Sequence, residues 1–136
     1  MRIEELSVGD WVCDANGIVA QVRGIECWSD GYVVNVRTKA GTITNLTEEG
    51  VRPIPLLPKI LAKNGFRRLD RFDEYVIGEW DSNPFIAVRL AEMFVEPAIL
   101  VKNGGPSVHL FGSRSESVHQ LQHALRLAGV EKEIEV

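Results

Sequence analysis

A chain of 136 residues, 45% hydrophobic and 25% charged, has enough apolar surface to bury a core and suits one domain or two very small ones. Its formal charge of −4 argues against bulk electrostatic attraction to nucleic acid or an anionic membrane. A cut at 64/65 uncovers no basic half, with 7 basic and 8 acidic residues before it and 8 and 11 after.

The first half predicts a meander of short strands. Residues 11–13 run into Asp14-Ala15-Asn16-Gly17, where Asn-Gly supplies the positive φ of a tight hairpin. Residues 18–23 return, and Gly24 marks a bulge or bend. Ser29-Asp30-Gly31 then turns the chain into a strand over 32–37, and Lys39-Ala40-Gly41 into one over 42–46. A short closing strand at 51–54 is limited to an edge by Pro53. Five strands at this spacing favour a small SH3-like β-barrel, because closure removes the edges that a meander exposes. A short helix to Asn64 follows, with Pro58 in its first turn and Gly65 just past its end. Residues 1–64 thus read as one unit, a small barrel plus a short helix.

Mixed charges over 67–74 predict a hinge. The second unit, 65–136, predicts antiparallel strands at 75–77, 85–90, 98–101 and 108–111, separated by the turn signals Asp81-Ser82-Asn83-Pro84 and Asn103-Gly104-Gly105-Pro106. One helix, capped by Ser115 and ending before Gly129, packs the sheet. Val118, Leu121, Ala124, Leu125 and Ala128 form its apolar stripe, which leaves Glu116, His119, His123 and Arg126 on the exposed side. A last edge strand is expected at 133–136. The fold class is therefore α+β.

Candidate chemistry is sparse. His119 and His123 stand four residues apart on one helix face, a spacing that lets two imidazoles meet one metal ion, with Glu116 or His109 as a third ligand. That constellation defines an alternative, a small metal-dependent hydrolase. Against it, Gln120 stands where metalloproteases carry a glutamate, and Arg126 on the same face opposes a dication. Arg67 and Arg68 offer a small basic site, although the acids around them favour a self-paired linker. Trp11, Trp28 and Tyr32 belong to the barrel, where such side chains can present a stacking or peptide-binding surface, although core packing is the expected job of at least two of them. Cys13 and Cys27, each inside a strand, read as free buried thiols. No glycine-rich phosphate cradle exists, and no cofactor is expected. Residues 1–5 lack the apolar stretch of a signal peptide, and no apolar run approaches the roughly 20 residues that cross a bilayer. A cytoplasmic protein without a membrane partner is expected.

Three segments carry a resemblance. Glu5-Leu6-Ser7-Val8-Gly9-Asp10-Trp11-Val12, Val51-Arg52-Pro53-Ile54-Pro55-Leu56 running on to Asn64-Gly65-Phe66, and Ser117-Val118-His119-Gln120-Leu121-Gln122 resemble the "eLriGnyV", "PIPLteeiLlknGF" and "yvHQLQ" pattern of small prophage- and mobile-element-associated proteins of Bacteroides-type gut bacteria. The chain departs from the pattern at Leu57-Pro58-Lys59 and at Ser117. The resemblance implies an origin on a mobile element and brings no activity with it. It puts weight on His119, Gln120 and Gln122, either as hydrogen-bonding ties to backbone or as part of a binding surface. Gln120 and Leu127 lie off the apolar stripe, which suits an interlobe contact or a homodimer seam. The reading is a non-enzymatic binding module for a protein or nucleic-acid partner. Its candidate residues are His119, Gln120, Gln122, His123, Trp28, Tyr32, Arg67 and Arg68.

Overall fold

The structure, a computed structural model, describes the chain except residues 70–73, 91–97, 106 and 112–116. It is α+β, with two antiparallel sheets and one main helix near the C-terminus. The chain divides into two compact units, Met1–Ile54 together with Val136, and Pro55–Glu135.

The first unit is the meander. Its strands are β1 (Trp11–Cys13), β2 (Val19–Trp28), β3 (Gly31–Thr38), β4 (Ile43–Thr47) and β5 (Arg52–Pro53), paired in the order β4-β3-β2-β1-β5. Period-two alternation buries Ala20 and Val22 of β2 and Val34 and Val36 of β3. They cluster with Val12, Val51, and with Ile3 and Leu6 from a single 3-10 turn at the start of the chain. This core is aliphatic. Trp28 and Tyr32 are exposed and Trp11 is half-buried, so the aromatics of this unit do not serve as core. β2 is longer than expected because the irregularity at Gly24 does not end it: the register shifts between Val22 and Gly24 and pairing then continues to Trp28.

Among the described residues no pairing closes this sheet, and β4 and β5 are its edges, where the sequence favours closure. β5 makes only two residue pairs with β1, at a segment where Pro53 lacks a donor. The segment over 5–12 does structural work here. The buried Asp10 carboxylate accepts the Ser7 N–H at 2.8 Å, while its carbonyl accepts Val22 N–H at 2.8 Å, which fixes the entry into β1.

The second unit begins before the short helix α1 (Pro58–Lys63), whereas the expected division follows that helix. Asn64, just past α1, explains the difference. Its side-chain amide donates to Ile60 O and Glu135 O and accepts Glu135 N–H, all at 2.8 Å, and so binds the helix to the far end of its own unit. The sheet runs β10-β9-β8-β7-β6, comprising β6 (Arg67–Arg68), β7 (Glu74–Ile77), β8 (Phe85–Arg89), β9 (Ala98–Lys102) and β10 (Val108–Phe111). Arg67 and Arg68, expected in a hinge, instead pair with Val76 and Tyr75. β8 is buried on both faces: Phe85 and Ala87 cluster with Val76 and Leu100, while Ile86 and Val88 pair with buried Val101 and Ile99.

Helix α2 (Val118–Leu127) contacts β9 and β10 and buries Val118, Leu121, Ala124 and Leu125, as the apolar stripe predicts. It starts from Ser117, two residues beyond the expected cap, and Ser115 and Glu116 lie outside the described residues. The expected strand at 133–136 does not form. Side-chain amides hold that tail instead, and Ile134 is buried.

Candidate functional site

Among the described residues, a concave surface with exposed aromatics lies at the tip of the β2–β3 hairpin. Trp28 pairs with Gly31 across the two-residue turn Ser29-Asp30, and Cys27 pairs with Tyr32. On the other side of β3, Val33 pairs with Thr47, so the next two residues of the chain, Glu48 and Glu49, arrive beside the hairpin. The result is a hollow of about 320 Å³ lined by Trp28, Tyr32 and Val33 and by Asp30, Glu48 and Glu49. Trp28 is 53% and Tyr32 37% exposed, large aromatic surfaces left in water.

The charge on the lining side chains is one-sided. No basic side chain lines the hollow among the described residues. Glu26 accepts the Trp28 indole N–H at 2.7 Å and so orients the ring. Asp30 accepts the Ser29 hydroxyl at 2.9 Å, and Glu48 accepts Ile3 N–H at 3.3 Å while its carbonyl takes the Met1 ammonium at 2.9 Å. No side-chain ion pair neutralises Glu26, Asp30, Glu48 or Glu49 among the described residues.

Of the residues singled out in the sequence, Trp28 and Tyr32 thus meet at one site. Asp30, Glu48 and Glu49 were missed, although the signal was present: a β3–β4 turn centred on Ala40 brings residue 33 opposite 47. The Cys27 thiol beside this site is exposed, contrary to the expectation of burial, because it lies beyond the core on the protruding part of β2.

The helix candidates separate from this surface by role. His119 is 3% exposed and buried, which corrects its assignment to the solvent face. Its ring meets that of His123, half-buried one turn later, edge to face at 5.8 Å. Gln122, also expected to present a binding group, is 4% exposed and holds backbone instead: its Nε2 donates to Lys132 O at 2.9 Å and its Oε1 accepts Ile134 N–H at 2.8 Å. Gln120 is partly exposed and accepts the Ser117 hydroxyl at 2.9 Å. A helical wheel assigns faces from apolar residues alone, whereas Gln122 is buried because backbone supplies its partners.

The remaining candidates do not assemble either. His109 is exposed on β10 and lines a second hollow, of about 230 Å³, with Glu74, Arg89 and an apolar floor of Ala87 and Leu100. Glu116 lies outside the described residues, and among those described no three His, Cys, Asp or Glu side chains are grouped to hold a metal ion. Arg67 and Arg68 occupy consecutive strand positions, whose side chains leave opposite faces of the sheet. Arg67 is moreover engaged with Gly78 O at 3.0 Å and Glu79 at 3.1 Å. Among the described residues no helix is long and apolar enough to cross a membrane. A scan against protein-family models and searches of curated proteins and of solved structures return no match to this chain.

Proposed function

We propose that this chain is a protein-binding module whose hairpin hollow receives a lysine or arginine side chain of its partner. One observation carries the reading: Trp28 and Tyr32 border a cavity rimmed by Asp30, Glu48 and Glu49 with no base among its described lining. An aromatic face attracts a cation through its quadrupole, by about 0.5–1 kcal/mol at an exposed site, and a carboxylate at the surface adds up to about 1 kcal/mol. Together they amount to roughly a ten-fold gain in affinity for each engaged cation. The same carboxylates repel phosphate, which favours a protein over a nucleic acid. Residues 1–54 carry five basic and eight acidic residues, so the field of this unit points the same way. An SH3-like identity for the unit belongs to this proposal, supported by the five-strand meander and the long bulged β2. A mobile-element origin enters it through the resemblance alone.

The test is an NMR titration of the labelled protein with a glycine–serine decapeptide carrying one central lysine, and with its glutamate counterpart. The lysine peptide should shift amides of residues 28–33 and 47–49, weaken with added salt, and lose about five-fold in affinity on Trp28→Ala. Equal responses to both peptides, or shifts confined to other surfaces, would overturn the proposal.

A further inference from the structure

The edge strand β4 runs directly into the hollow. It comprises Ile43-Thr44-Asn45-Leu46-Thr47, with no charge and no proline, and ends at Thr47 beside Glu48 and Glu49. Ile43 is 71% exposed, Thr44, Asn45 and Thr47 are exposed, and only Leu46 packs against the core. Proteins usually guard such an edge with lysine, proline or a very short strand. The opposite edge, β5, has two of these safeguards, being two residues long and ending in Pro53. β4 has none of them.

The hydrogen-bond phase identifies which groups are on offer. Thr38 N–H donates to Thr42 O at 2.9 Å, and pairs along an antiparallel ladder alternate. Thr44 and Leu46, opposite Val36 and Val34, therefore face β3 with their backbone groups, while those of Ile43 and Asn45 face outward. The Asn45 side chain accepts from Asn35 Nδ2 at 2.5 Å, which pins the strand in register.

We infer that β4 accepts an extended segment of the partner protein as a sixth strand, hydrogen-bonded to Ile43 and Asn45, with a lysine or arginine a few residues along reaching the Trp28–Tyr32 hollow. The inference rests on the reading of that hollow, because the carboxylates at the end of β4 are what select a basic segment over any other strand. Backbone pairing supplies affinity in this mode, and the side-chain pocket supplies specificity.

The probe is a ten-residue peptide alternating threonine and valine, with one lysine near its end, titrated against the whole chain. Asn45→Pro should weaken it about ten-fold, through the lost Asn45 N–H bond and the misfit of the added strand. Asn45→Ala, which loses only the bond to Asn35, should bind nearly as the wild type. N-methylation of alternate peptide amides reproduces the loss without altering the protein, and so decides the matter if Asn45→Pro does not fold. Binding that ignores both Asn45→Pro and N-methylation but falls with Trp28→Ala overturns strand addition and leaves the hollow intact. Binding that follows Asn45→Pro but is unchanged when norleucine replaces lysine keeps the strand and defeats the hollow. A protein that dimerises in sedimentation, becomes monomeric on Asn45→Pro and ignores the peptide pairs this edge with a second copy, and the inference fails.

Discussion

Replacing Gln122 by alanine tests how the tail is held. The side chain makes two bonds, to Lys132 O and Ile134 N–H, each contributing about 1 kcal/mol net. If the tail stayed in place without them, two largely buried backbone groups would lose partners, at about 1–3 kcal/mol each. Release is the cheaper route. It also gives up the two Asn64–Glu135 bonds, about 2 kcal/mol, and the burial of Ile134, about 1.5–3 kcal/mol. In return, four residues regain backbone freedom at about 1–2 kcal/mol each. Docking of the tail is therefore worth no more than about 2–3 kcal/mol, which caps the loss. We expect Gln122→Ala to cost about 1–2 kcal/mol in urea unfolding and to abolish exchange protection of the Ile134 amide. Ile134→Ala should release the same segment, so the double variant should lose much less than the sum of the two. A loss above about 4 kcal/mol, or an Ile134 amide that stays protected, would refute the argument.

Leu121→Ala, at a fully buried position of α2, should cost about 2–5 kcal/mol in the same assay, and a loss below about 1 kcal/mol would mean that the helix does not face its sheet through this stripe. Gly78 has φ +80°, and a Cβ there would lie 2.5 Å from Pro84 O and from Ser82 Oγ; Gly78→Ala should therefore lower the melting temperature markedly, by about 2 kcal/mol or more in stability, and an unchanged Tm would contradict the local backbone. Iodoacetamide should modify exposed Cys27 well before Cys13, whose thiol pKa is pushed up by burial first and by Asp14 second, against Arg52. Because the raised pKa belongs to the folded state, the stability tied to Cys13 is complete below the ordinary thiol range, near 8.5, and declines as pH climbs through the folded value; Cys13→Ser should flatten that alkaline decline, and an identical pH profile would count against the shift.

What the sequence determined by itself was what neighbouring residues decide. Asn16-Gly17, Ser29-Asp30-Gly31 and Lys39-Ala40-Gly41 set the hairpins, Gly24 signalled the bulge, and Pro58 and Gly65 framed α1, because turn and cap chemistry is complete within a few residues. The apolar stripe of α2 was legible for the same reason, since a 3.6-residue period needs no distant partner. Tertiary structure alone decided the rest. Gln122 and Asn64 are buried because backbone from 132–135 comes to their amides, a partner no local pattern announces. Residues 67–68 became a strand because Tyr75 and Val76 offered an edge. Glu48 and Glu49 joined Trp28 only through the β3–β4 register, which carries groups some twenty residues apart onto one surface. Local propensity selects turns and periods within a few residues, whereas burial of polar groups and the convergence of charges depend on which distant backbone and side chains packing brings together.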